Sequence, residues 1–168
     1  MNYLAVGCAS LIGWVFLASA VSKLRHFGEF SGSLPALAPV RPGLVRPLAA
    51  AVVTAEAAVP VLLLLPRVMP YGFALAGGLL AAFTSAIAAA LKHGRRAPCR
   101  CFGASGTPLG TRHLLRNAIL LITVVAGGLA RGGAAPTAGL AVAVAGGLLG
   151  AILIVAFDDI AYLLARTS

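Results

Sequence analysis

Charge is what this sequence has least of. Of its 168 residues 10% are charged, and only four of those are acidic: Glu29, Glu56, Asp158 and Asp159. Soluble domains carry roughly 25% charged residues, so a water-soluble fold is not expected. Alternation of apolar and polar residues over strand-length stretches is missing as well. The run from Ala50 to Leu65 is apolar all round apart from Thr54 and Glu56, which excludes a transmembrane barrel. Basic residues are absent ahead of the first apolar run and follow it instead, as Lys23 and Arg25, so a cleaved leader is not expected. Aromatics make up 7%, with no groove-reading element among them, and the net charge of +9 is therefore no argument for nucleic-acid binding.

Hydrophobic residues are abundant, at 60% with a mean hydropathy of +0.99. They fall into five segments, at about 3–22, 44–65, 70–91, 113–130 and 137–157, each near the twenty residues that cross about 30 Å of hydrocarbon as a helix. Backbone groups in lipid must be satisfied within the segment, so the spans are helices. The expected fold is all-α: one polytopic transmembrane bundle of about five helices over residues 1–168.

The cations orient this bundle. Four lie between the first and second segments (Lys23, Arg25, Arg41, Arg46) and six between the third and fourth (Lys92, Arg95, Arg96, Arg100, Arg112, Arg116). With Arg166, eleven of the thirteen fall on one side. The positive-inside rule puts that side in the cytoplasm of a bacterial inner-membrane protein, with the N-terminus outside and both long loops, which face anionic lipid headgroups, inside. The other connections are short: Pro66 to Pro70, and the Gly-rich Arg131 to Pro136, read as tight turns. Gly77-Gly78, Gly127-Gly128 and Gly146-Gly147 allow close helix approach where lipid removes the hydrophobic driving force.

Chemistry concentrates in the second long loop, as Pro98-Cys99-Arg100-Cys101-Phe102-Gly103. Two thiols one residue apart can close a small strained disulfide ring, and strain makes the bond easily reduced. Arg100, with Arg95, Arg96 and Arg112 close by in sequence, favours the nucleophilic thiolate. Two other readings stay open at this point. One is a pair of inert cytoplasmic thiols; the other is a metal set of His93, Cys99, Cys101 and His113, whose spacing matches no standard zinc pattern. No metal and no cofactor is adopted.

Glu56 lies near the middle of the second segment, where a carboxylate costs several kcal/mol unless it is protonated, paired or wet. A partner is expected: Lys23 reaching back from the end of the first segment, or Thr54 or Ser85 donating to a neutral acid. Asp158 and Asp159 are expected to close the fifth segment, and Cys8 reads as a small buried hydrophobe.

With Thr111-Arg112-His113-Leu114-Leu115-Arg116-Asn117 opening the fourth segment, the Cys-x-Cys motif resembles the methylamine utilisation protein MauE family and its DoxX-like relatives. The end of the first segment, Phe16 to Leu24, and Glu56 ahead of Val61 to Leu65 look like that family too. The resemblance spans roughly residues 8–130, with Arg100 standing where the family pattern usually has Gly. It implies a four-helix core plus one further helix, and a membrane protein that assists thiol-disulfide chemistry. In the family's name-giving case this is maturation of the disulfide-rich small subunit of methylamine dehydrogenase, with a thioredoxin-like partner and an exported client. Carried over by position, Cys99 and Cys101 are the redox pair, and Lys23, Glu56, Arg116 and Asn117 support the bundle. The leading reading is a redox accessory protein in which Cys99 engages the partner and Cys101 resolves the mixed disulfide. The rival is a non-catalytic assembly subunit with incidental cysteines. A small-solute transporter using Glu56 is disfavoured, because no broken-helix pair or inverted repeat is evident.

Overall fold

A computed structural model describes residues 2–37, 40–92, 111–130 and 137–166, with the side chains of 36, 37, 111, 112, 137, 138 and 157–166 excepted. Among the described residues there are helices and no strands. The α-helices, in chain order, are α1 (Tyr3–Arg25), α2 (Phe27–Leu37), α3 (Val45–Leu64), α4 (Met69–Lys92), α5 (Thr111–Leu129) and α6 (Thr137–Arg166), with a 3-10 turn at Pro42–Leu44 leading into α3. Four helical stretches are long and apolar enough to cross a membrane: Tyr3–Arg25, Pro42–Leu64, Met69–Lys92 and Gly139–Ala156. The apolar part of α5, His113–Leu129, is shorter.

Each of the five expected segments is a helix, and the structure differs from expectation in two places. Helix α2 lies within what the sequence presents as the first long loop; Gly28, Gly32, two serines and Pro35 break any long apolar run there. Helix α6 continues through Asp158 and Asp159 to Arg166, rather than closing at about residue 157. Charge does not stop a helix in the way Pro or a left-handed Gly does.

The packing follows from one face of each helix. On α1 the buried positions are Ala5, Cys8, Ile12, Val15, Phe16, Ser19, Ala20 and Lys23, a stripe at the 3.6-residue period. This stripe meets α3 and α5, and α4 closes the ring by packing on α3 and α5. The four helices α1, α3, α4 and α5 therefore form the core, centred on Ile12, Val59, Ala76 and Leu120. The α3–α4 turn is tight: the Val68 amide bonds to Leu65 O (3.1 Å) and the Tyr71 amide to Val68 O (2.9 Å).

Helix α6 is the additional helix and runs parallel to α1 on the outside of the ring. Its contact is made of small residues. A methyl at Gly147 would sit 2.5 Å from the Gly7 carbonyl oxygen and 2.9 Å from the Leu11 amide, so the two backbones meet only because position 147 has no side chain. The Ser10 hydroxyl donates to Val144 O (2.9 Å) across the same seam. A similar approach joins α5 to α1 and α4, where a methyl at Gly127 would collide with the Phe73 ring and the Cys8 Cβ. Cys8 is buried there and unbridged, as a small core residue.

Candidate functional site

The antiparallel ring sorts its polar side chains to one end. The α1 C-terminus, the α3 N-terminus, the α4 C-terminus and the α5 N-terminus share that end, called here the loop end. Residues 93–110, between α4 and α5, connect there. Among the described residues the buried polar or charged side chains are Ser19, Lys23, Ser31, Glu56, His113, Arg116 and Asn117. All belong to the loop-end half or, for Glu56, to the middle of its helix. The other half of the core is apolar.

At the centre of this layer is an ion pair. Lys23 Nζ lies 2.7 Å from Glu56 Oε1 and 2.9 Å from Oε2, and both side chains are about 1% exposed or less. Lys23 also donates to the Ser19 hydroxyl, which in turn donates to Glu56 Oε2 (3.2 Å). An ammonium has three N–H groups, and here three acceptors receive them. Ser19 and Lys23 stand four residues apart, so one face of α1 presents both to α3. Two aromatic faces complete the enclosure: the rings of Phe30 on α2 and Phe83 on α4 are each centred 5.3 Å from Lys23 Nζ. Such rings attract a cation through their quadrupole, and the attraction is stronger where water is excluded.

A second polar contact sits beside it. Thr84, next to Phe83, accepts from Asn117 Nδ2 (3.2 Å) and donates to Leu80 O (2.6 Å). Arg116 and His113 are buried on the same stretch of α5. Consecutive residues of α4 thus face the two parts of the layer, Phe83 toward Lys23 and Thr84 toward Asn117.

The expected site residues fall into two groups. Lys23 and Glu56 meet directly, and Arg116 and Asn117 lie on the neighbouring helix at the same end. Thr54 is exposed and Ser85 donates to Ala82 O (2.9 Å), so neither serves Glu56. Cys99, Arg100 and Cys101 lie outside the described residues, as does His93, so the redox pair and the alternative metal set are not placed by the structure. No group of three or more His, Cys, Asp or Glu suited to a metal occurs among the described residues. Ser19, Phe30, Phe83 and Thr84 were not anticipated. For Ser19 the signal was present, a hydroxyl one turn before the lysine; for the two rings and Thr84 it was not, because only packing brings them to the layer.

An apolar groove of about 390 Å³ lies between α1, α3 and α6, bordered by Val6, Trp14, Leu17, Pro60 and Leu64. Its hydroxyl, Ser10, is already bonded to Val144 O, and it contains no ionisable group. The polar layer is therefore the candidate site.

Neither the curated proteins nor the solved structures contain a match to this chain. The family model described as methylamine utilisation protein MauE matches residues 1–131, which takes in α1 to α5, the polar layer and the Cys-x-Cys segment and leaves α6 outside. With more than half its length matched, the chain belongs to the MauE family.

Proposed function

We propose that this protein is an integral membrane thiol-disulfide redox accessory that oxidises a partner protein's cysteines through Cys99 and Cys101. The observation that carries the reading is the MauE match over residues 1–131, which includes the Cys-x-Cys segment. The gathering of buried polar side chains at the end where α4 stops and α5 begins, the two helices that flank the Cys-x-Cys segment in sequence, supports it.

In the exchange, a client thiolate attacks Cys99 Sγ of the Cys99–Cys101 disulfide. The S–S bond breaks, Cys101 leaves as thiolate and a mixed disulfide forms. A second client thiolate then attacks the client sulfur of that bond, which closes the client disulfide and releases Cys99. The protein has gained two electrons; Cys99 thiolate then attacks the disulfide of a thioredoxin-like protein, and Cys101 attacks Cys99 Sγ to resolve that mixed disulfide, which restores the pair and releases the thioredoxin-like protein as a dithiol. Positive charge on Arg100 and the arginines close to it in sequence favours the thiolate form, which suits Cys101 as a leaving group. The buried Lys23–Glu56 pair, with Asn117 and Arg116, holds the four helices at the end from which this segment departs. The family's name points to methylamine dehydrogenase as the client class.

Redox titration with alkylation and mass spectrometry tests the proposal. Cys99 and Cys101 are expected to interconvert between dithiol and disulfide, and replacing both with Ser is expected to abolish partner maturation while leaving the protein in the membrane. If no disulfide forms between them at any poise and the double variant still supports maturation, the cysteines are incidental. The protein is then a non-catalytic assembly subunit.

A further inference from the structure

Helix α2 covers the Lys23–Glu56 pair without belonging to the core that holds it. At eleven residues it is about 16 Å long, short of the bilayer's hydrocarbon, so it caps the loop end rather than crossing. Its buried side chains Phe30 and Leu34 pack with Ala49 and Val53 of α3 in a cluster separate from the main core. Phe30 is 3% exposed and its ring stands over the Lys23 ammonium.

Three features make this cap easy to release. A single residue, His26, joins it to α1, with φ −120° and ψ 42°, outside the helical region, so the helical ladder is interrupted there, and its other end leads to α3 by way of the 3-10 turn at Pro42–Leu44. Its own helix is weak. Gly28 and Gly32 are poor helix formers, and Pro35 removes the amide that would bond to the Ser31 carbonyl. Ser31 and Ser33 turn their hydroxyls back onto Gly28 O (3.0 Å) and Phe30 O (2.7 Å). Finally, the cluster that docks it is small, and segments with few buried contacts open at a fraction of the global unfolding free energy.

We infer that α2 is a lid, which undocks about His26 and opens the buried Lys23–Glu56 site to water from the loop end while the four-helix core stays folded. Docked, the lid keeps the three acceptors and two rings around the ammonium dry. Undocked, it removes one ring and admits water to the pair, the condition for a polar ligand or a proton to reach Glu56. This inference does not depend on the redox reading of the cysteines.

The sequence supplies its own probe, because Lys23 and Lys92 are its only lysines. Lys92 is exposed and serves as the internal reference. The full chain in lipid nanodiscs is treated with a water-soluble acetylating ester, and both lysines are followed by mass spectrometry. Lys23 is expected to acetylate slowly in the unaltered protein. In Phe30→Ala and in Leu34→Ala its rate is expected to rise about tenfold or more relative to Lys92, since truncating either side chain weakens docking. Leu34→Ala is the deciding variant, because it leaves the Phe30 ring in place. A higher Lys23 rate in Leu34→Ala with an unchanged thermal transition of the bundle supports the lid. An unchanged Lys23 rate in Leu34→Ala overturns it, whatever Phe30→Ala does, because the effect of Phe30 is then a local gap.

Discussion

Lys23 is tolerated in the bundle because each of its N–H groups finds an acceptor, and Glu56 because a cation and a hydroxyl meet its oxygens. Removing one member leaves the other charged and buried, which costs about 3–5 kcal/mol, whereas replacing both with apolar residues of similar volume is often close to neutral. Lys23→Met and Glu56→Leu should therefore each lower thermal stability sharply in detergent. The double variant should recover most of the loss, a coupling that a thermal or denaturant double-mutant cycle measures. Scarcity made this pair legible in the sequence: a mid-span acid needs a partner, and Lys23 was the cation among the few candidates. The competing donors Thr54 and Ser85 fail on helical phase. Thr54 lies two residues before Glu56, about 200° around the helix, and so faces away from the acid's partners.

Among the elements, α6 and α2 are the two that lie outside the four-helix core. The seam of α6 on α1 exists because Gly147 lets the backbones touch, and a Cβ there would have to displace main-chain atoms rather than a flexible side chain. Gly147→Val is thus expected to cost about 1–3 kcal/mol or more at this contact. The measurement is oxidative cross-linking between cysteines placed at Ser10 and Val144, whose yield should fall severalfold in Gly147→Val. The Lys23–Glu56 pair, set among α1, α3 and α4, should be unaffected by it. Helix α2 escaped the sequence reading for the reason that makes it a lid: glycines, serines and a proline mask its periodicity, and docking through Phe30 and Leu34 supplies what propensity does not. The small-residue seam was legible as a composition, but the sequence alone does not say which helix each glycine meets.

The whole molecule is polar in the directional sense, with an apolar half and a half that encloses every described buried ion and amide. In the sequence, eleven of the thirteen cations fall on one side of the expected spans, the side of the α1 C-terminus and the α3 N-terminus. We propose that this end faces the cytoplasm, the orientation that the positive-inside rule expects. After reduction, a membrane-impermeant thiol reagent should label Cys99 and Cys101 in inside-out vesicles and leave them unlabelled in right-side-out vesicles, with Cys8 buried in both. Labelling from the opposite face would reverse the topology and bring the thiols to the side where an exported client folds. Protection from both faces would point to a segment that re-enters the bundle.

The sequence by itself determined that this chain is a helical membrane protein, where its long apolar helices lie, and that a buried acid at Glu56 needs a partner. Those properties follow from local composition: a run of about twenty apolar residues has few alternatives in lipid. The tertiary structure decided which faces meet. It set Ser19, Phe30 and Phe83 around Lys23, joined Thr84 to Asn117, laid α6 along α1 and placed α2 over the ion pair. These contacts link residues far apart in the chain on helices that are apolar over most of their circumference. Without a strong polar face to set rotation, close fit and the need to satisfy a few buried polar groups choose the register.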